Sequence, residues 1–165
     1  MSLPLDPEDA LAGPLYVIAV LLILLPLVDF ALSIPAAEFS SVQWRFASVG
    51  LLSGYTMMPI LGLGLAFVIS AVRKHYTMQR LLVVICLTTA VALVAMTLSF
   101  VLDGLQVRFS VPEEQLAAFT NAWTRALLKL ALSVVALAYL GWRARRMIPA
   151  PSRHRTPKTV HVVSK

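Results

Sequence analysis

The chain has 165 residues, 59% of them hydrophobic and only 13% charged, with a net charge of +6 and a mean hydropathy of +0.82. A soluble domain is nearer half apolar and a quarter charged, so a chain of this composition cannot cover its own surface with polar groups and needs lipid as solvent. The basic balance does not point to nucleic acid. Seven of the fourteen Lys and Arg lie after Trp142, and no basic face interleaved with aromatics sits on a foldable domain.

The N-terminal segment, residues 1–13, carries Asp6, Glu8 and Asp9 and no basic residue. The first apolar run follows, residues 15–32, between Pro14 and Pro35. A signal peptide needs a positive n-region, which this segment lacks, so a spanning helix is the favoured expectation. The stretch Ile34-Pro35-Ala36-Ala37 loosely resembles a cleavage site and keeps the alternative open.

The second run, residues 46–72, is about 40 Å long as a straight helix at 1.5 Å per residue. Every fourth residue from Gly50 gives Gly50, Gly54, Met58, Gly62, Ala66 and Ser70, a nearly unbroken small-residue strip. Such strips let helix backbones approach closely in lipid, so Gly50, Gly54, Gly62, Ala66 and Ser70 are the expected helix-packing residues. They serve either the chain's own bundle or an oligomer. Pro59, at mid-run, removes one backbone hydrogen bond and predicts a kink, static or, in a transporter, moving.

The third run, residues 81–102, carries Thr88, Ala92, Ala95 and Ser99 at spacings of four, three and four. This second small strip is expected to meet the second helix. The fourth run, residues 122–142, starts further upstream if Ser110 and Glu113 form a capping box with Pro112 in the first turn. The sequence allows one long rod or an interfacial helix bent near Asn121. Beyond it, residues 143–165 form a basic tail with Pro149, Pro151 and Pro157, expected to be disordered. Arg143, Arg145 and Arg146 are expected to lie against anionic lipid headgroups.

Four spans of this length predict an all-α integral membrane bundle over residues 14–142. Lys and Arg number ten in the second loop and tail, against three in the first and third loops. By the positive-inside rule, both termini are cytoplasmic. Tyr16, Tyr76 and Trp142 then fall near the cytoplasmic interface. Phe30, Trp44, Phe46, Phe100, Phe109, Phe119 and Trp123 fall near the other, as aromatic belts require.

Lys129 lies within the fourth span, with Asp29 and Asp103 ending the first and third spans on the same side. An ionisable group at depth normally finds a partner, so Lys129 is expected to form a buried ion pair with Asp103 or Asp29, unless it snorkels along its own stem. A loose echo relates Asp29…Trp44-Arg45 to Asp103…Trp123-Thr124-Arg125, as in a parallel repeat of two hairpins.

Catalytic chemistry has little support. His75, His154 and His161 lie in the loop or tail, Cys86 is a lone thiol in an apolar run, and Ser53 and Tyr55 have no base in evidence. No catalytic residue, metal ligand or cofactor is expected. Trp44-Arg45, Pro59-Ile60-Leu61-Gly62-Leu63 and the basic turn at Arg73 resemble the corresponding segments of small four-helix membrane proteins associated with exosortase-dependent polysaccharide secretion, the HpsJ-like group. The resemblance covers about 40 residues and implies an accessory role in membrane-linked export or assembly. The expected function is a non-catalytic accessory, structural or assembly subunit in a bacterial-type inner membrane, partnered by other membrane subunits, a second copy or anionic lipid. The alternative is a small oligomeric transporter or channel.

Overall fold

The computed structural model describes residues 7–34 and 38–147, and all five elements are helices: α1 Pro7–Ser33, α2 Val42–Tyr55, α3 Met57–Val72, α4 Tyr76–Arg108 and α5 Glu113–Met147. The cleavage-like stretch at 35–37, the segment before Pro7 and the tail beyond Met147 lie outside the described residues. α1, α4 and α5 are each long and apolar enough to cross a membrane, and α2 with α3 passes the same test as one bent unit.

α1 starts eight residues before the apolar run. Pro7 suits a first helical position, and Ala10, Leu11 and Ala12 are good helix formers. At α2, Ser41 caps the helix by accepting the Trp44 backbone N–H at 3.3 Å.

The expected kink is a full break. α2 ends at Tyr55, α3 starts at Met57, and the two axes meet at 44°. Pro59 is the cause. It has no N–H for the Tyr55 carbonyl, and its ring crowds that carbonyl four residues back. Hydroxyls collect at the break: Ser53 Oγ donates to the Gly50 carbonyl at 2.6 Å and Thr56 Oγ1 to the Ser53 carbonyl at 3.3 Å. Ser133 Oγ reaches across from α5 to Thr56 Oγ1 at 2.9 Å, and also to the Lys129 carbonyl at 2.8 Å. All three side chains are buried. Pro59→Ala returns the missing donor, so the α2–α3 angle is expected to shrink. Spin-label distances between the ends of α2 and α3 measure it, and an unchanged distance would assign the break to the Ser53–Thr56–Ser133 cluster instead.

α3 ends in a Schellman turn: His75 N–H donates to the Ser70 carbonyl and Lys74 N–H to the Ala71 carbonyl. Lys74 occupies the left-handed position, φ 54°, where glycine is usual. The α4–α5 turn does not use the expected capping box. Ser110 Oγ donates back to the Val107 carbonyl at 2.7 Å, so it closes α4 rather than opening α5. α5 is one continuous rod of 35 residues, about 52 Å long, which settles the choice at Asn121.

The helices pack as two hairpin-like halves, α1 along α3 and α4 along α5, with α2 laid against α4. Phe100, Leu130, Leu137 and Cys86 are the largest apolar side chains at the centre, with Leu63, Phe67, Leu82 and Leu93 around them. The lateral surface is apolar as well: Leu24, Leu61, Val91, Leu98 and Val135 are all more than half exposed. A protein apolar both inside and outside has no hydrophobic drive toward compaction in lipid, so close packing and polar contacts must hold its halves together.

Candidate functional site

Polar and aromatic chemistry concentrates at the two ends of the bundle. One end holds the α2 start, the α4 end and the α5 start. There the carboxylate of Asp103, 7% exposed, is gripped by Arg45: Nη2 donates to Oδ1 at 3.0 Å and Nε to Oδ2 at 3.2 Å. The two parallel bonds make a forked guanidinium–carboxylate pair. A third bond from Arg45 Nη1 to the Phe39 carbonyl, 3.0 Å, ties in the segment leading to α2. One side chain thus fixes the α1–α2 connection, α2 and α4 together.

This pairing corrects the expected one. Lys129 and Asp29 are both exposed, and the acid of Asp103 is satisfied by Arg45 rather than by Lys129. The physical reason is register. Lys129 lies on an exposed face of α5 between buried Ala126, Leu130 and Ser133, whereas Arg45 begins a helix that packs directly on α4. The Asp29–Asp103 echo therefore does not extend to their environments, one exposed and one buried.

Beneath the ion pair the aromatics stack on one another. Phe46 lies between Phe100, 4.7 Å between ring centroids, and Phe119, 5.4 Å; Trp123 continues the row at 6.1 Å from Phe119. The row joins α2, α4 and α5, with Phe100 buried and Phe46 and Trp123 packed against the core; Phe109, 92% exposed, stays outside. The Trp123 ring lies close against Gly104. A Cβ there would meet the ring at 2.5 Å, so only glycine admits the indole.

The expected packing residues divide. Gly62 touches α1: a Cβ would fall 2.7 Å from the Ala19 carbonyl oxygen and 2.8 Å from Ile23 Cγ1. Ala66 and Ser70 are buried. Gly50 meets Phe100 of α4 at an ordinary 3.6 Å, and Gly54 faces open space. The GxxxG pair is thus not the close contact; Gly62, Gly104 and Gly141 are, the last with a Cβ position 3.0 Å from Leu87 of α4. Gly104 and Gly141 sit in no four-residue strip, which is why the sequence pattern passed over them.

The second strip is also corrected. Thr88, Ala92, Ala95 and Ser99 are exposed on α4, turned away from α2 and α3. α4 meets its neighbours through Leu82, Val83, Cys86, Ala90, Leu93 and Phe100 instead. Bulky apolar residues fill the three-helix junction, and the small strip is left on the outside. The Thr88 hydroxyl is satisfied within its own helix by the Val84 and Ile85 carbonyls, 2.8 and 3.1 Å.

The other end is basic. Arg73, Lys74, Arg80, Arg143, Arg145 and Arg146 gather there, with Arg146 stacked 3.9 Å over the Trp142 ring. Gln79, buried in the first turn of α4, donates Nε2 to the Ser70 carbonyl at 3.0 Å. Among the described residues no three His, Cys, Asp or Glu come together as metal ligands would. Comparison with protein-family models, curated proteins and solved structures finds no match to this chain.

Proposed function

We propose that this chain is a four-span protein of a bacterial-type inner membrane, with both termini cytoplasmic, and that it works as a non-catalytic accessory or assembly subunit of a membrane complex. The apolar lateral surface, the bent α2–α3 unit as one span and the concentration of Arg and Lys at one end all support the embedding. The observation that carries the subunit reading is the outward strip Thr88, Ala92, Ala95 and Ser99. The bundle closes without it. A small, weakly polar face left toward lipid is the kind of surface another helix can approach closely. The resemblance to the HpsJ-like group agrees with an accessory role in export or assembly. Arg143, Arg145 and Arg146 would hold the cytoplasmic end against anionic headgroups.

Ala92→Leu with Ala95→Leu tests this reading. Both sites are exposed, so the bundle itself should be unaffected while a helix partner is pushed away. In mild detergent the wild-type chain is expected to elute in a larger complex of fixed stoichiometry, and the double variant as a lone bundle with unchanged helicity. An identical elution volume for both would remove the strip from the argument. A second reading, a small oligomeric transporter or channel, is favoured by the Pro59 break and the buried hydroxyls of Ser53, Thr56 and Ser133. It requires solute flux through liposomes holding the purified protein.

A further inference from the structure

A crevice of about 210 Å³ opens between α3, α4 and α5 at the basic end. Phe67, Val68 and Ala71 of α3 and Leu140 of α5 form its walls, and Arg143 and Gln79 are the polar residues that line it. Val68 is 61% exposed, so the crevice opens sideways, toward the space where acyl chains would lie. Gln79 is 6% exposed, and its Oε1 has no hydrogen-bond partner among the described residues. Its Nε2 is held by the Ser70 carbonyl, which fixes the amide with its acceptor unsatisfied. A buried acceptor without a donor is costly, and such groups normally have a partner that completes them.

We infer that this crevice is a site for one anionic phospholipid with a hydroxylated headgroup, of the phosphatidylglycerol class, its phosphate on Arg143 and a headgroup hydroxyl donating to Gln79. The inference rests on the membrane embedding proposed above. Three features choose this occupant. The walls suit an acyl chain and open laterally. Arg143 is a forked donor suited to phosphate oxygens, in a field set by Arg73, Lys74, Arg80, Arg145 and Arg146. The open valence on Gln79 is an acceptor, which asks for a hydroxyl donor next to the phosphate; a choline headgroup has none.

The test is native mass spectrometry of the full chain released from nanodiscs of phosphatidylglycerol mixed with phosphatidylcholine. The wild type is expected to retain one phosphatidylglycerol in preference to phosphatidylcholine. Arg143→Gln and Gln79→Leu should each reduce that retention about tenfold, the effect of losing one charge-assisted or buried hydrogen bond. Arg80→Gln removes the same charge outside the crevice and should change it less than about twofold. Equal losses in Arg143→Gln and Arg80→Gln would overturn the site in favour of a diffuse basic surface. Displacement of the lipid by millimolar glycerol phosphate would overturn it in favour of a free anion. Arg143 is exposed, so its variant tests the site even if Gln79→Leu weakens the α3–α4 turn. If the embedding itself fails, the chain dissolves without detergent, a result visible before any lipid is weighed.

Discussion

Arg45→Ala is expected to destabilise the bundle, because removing one partner of an ion pair strands the other charge. The loss is held down because Arg45 is 38% exposed, and solvent already screens part of the interaction. Asp103→Ala is expected to cost about half as much. The asymmetry follows from burial. Without Arg45, a carboxylate only 7% exposed is left against α2 with no cation; without Asp103, the guanidinium keeps its bond to the Phe39 carbonyl and turns to solvent. Replacing both, Arg45→Met with Asp103→Leu, removes the stranded charge and should recover most of the loss. Unfolding in mixed micelles followed by circular dichroism reads all four proteins. Equal losses in the two single variants would mean that the pair is held for position rather than against burial.

The sequence carried the coarse fold well and the side-chain partnerships poorly, for identifiable reasons. Apolar runs long enough to cross a bilayer are a property of composition along the chain, so α1, α4, α5 and the α2–α3 unit were legible together with the bend at Pro59. Which face of a helix meets which neighbour depends on rotation about its axis, and apolar residues all round leave that rotation unmarked. Thr88, Ala92, Ala95 and Ser99 illustrate the failure: the strip was visible, but not that α4 turns Cys86, Leu93 and Phe100 inward in its place. Arg45 illustrates another. In the sequence it is one of the few basic residues of the first and third loops, although its place at the start of one helix and that of Asp103 at the end of another put both at the same end of the bundle. Lys129 lies deeper in its span, yet depth along an axis does not decide which face a residue occupies.

Gly62→Ala is expected to cost about 2–3 kcal/mol, the upper part of the range for overpacking a tight contact. The added methyl would lie 2.7 Å from the Ala19 carbonyl oxygen, a backbone atom that cannot rotate aside, so α1 as a whole must move away from α3. α1 has little else to hold it: only 6% of its apolar window is buried, and Ala19 is its one described residue that is nearly sealed, at 1%. In lipid, separating two such helices forfeits dispersion contacts without any hydrophobic penalty to resist it. Gly54→Ala meets nothing within 4 Å, and Gly50→Ala meets Phe100 at an ordinary distance, so both should be near neutral. Gly62→Ala should therefore loosen α1 selectively, seen as faster proteolysis between α1 and α2 and faster amide exchange in α1, with α4 and α5 unchanged. The three alanine variants together separate two uses of the same strip. If Gly54→Ala were the damaging one, the GxxxG face would be buried by something outside this chain, and a second copy or partner helix on α2 would have to account for it.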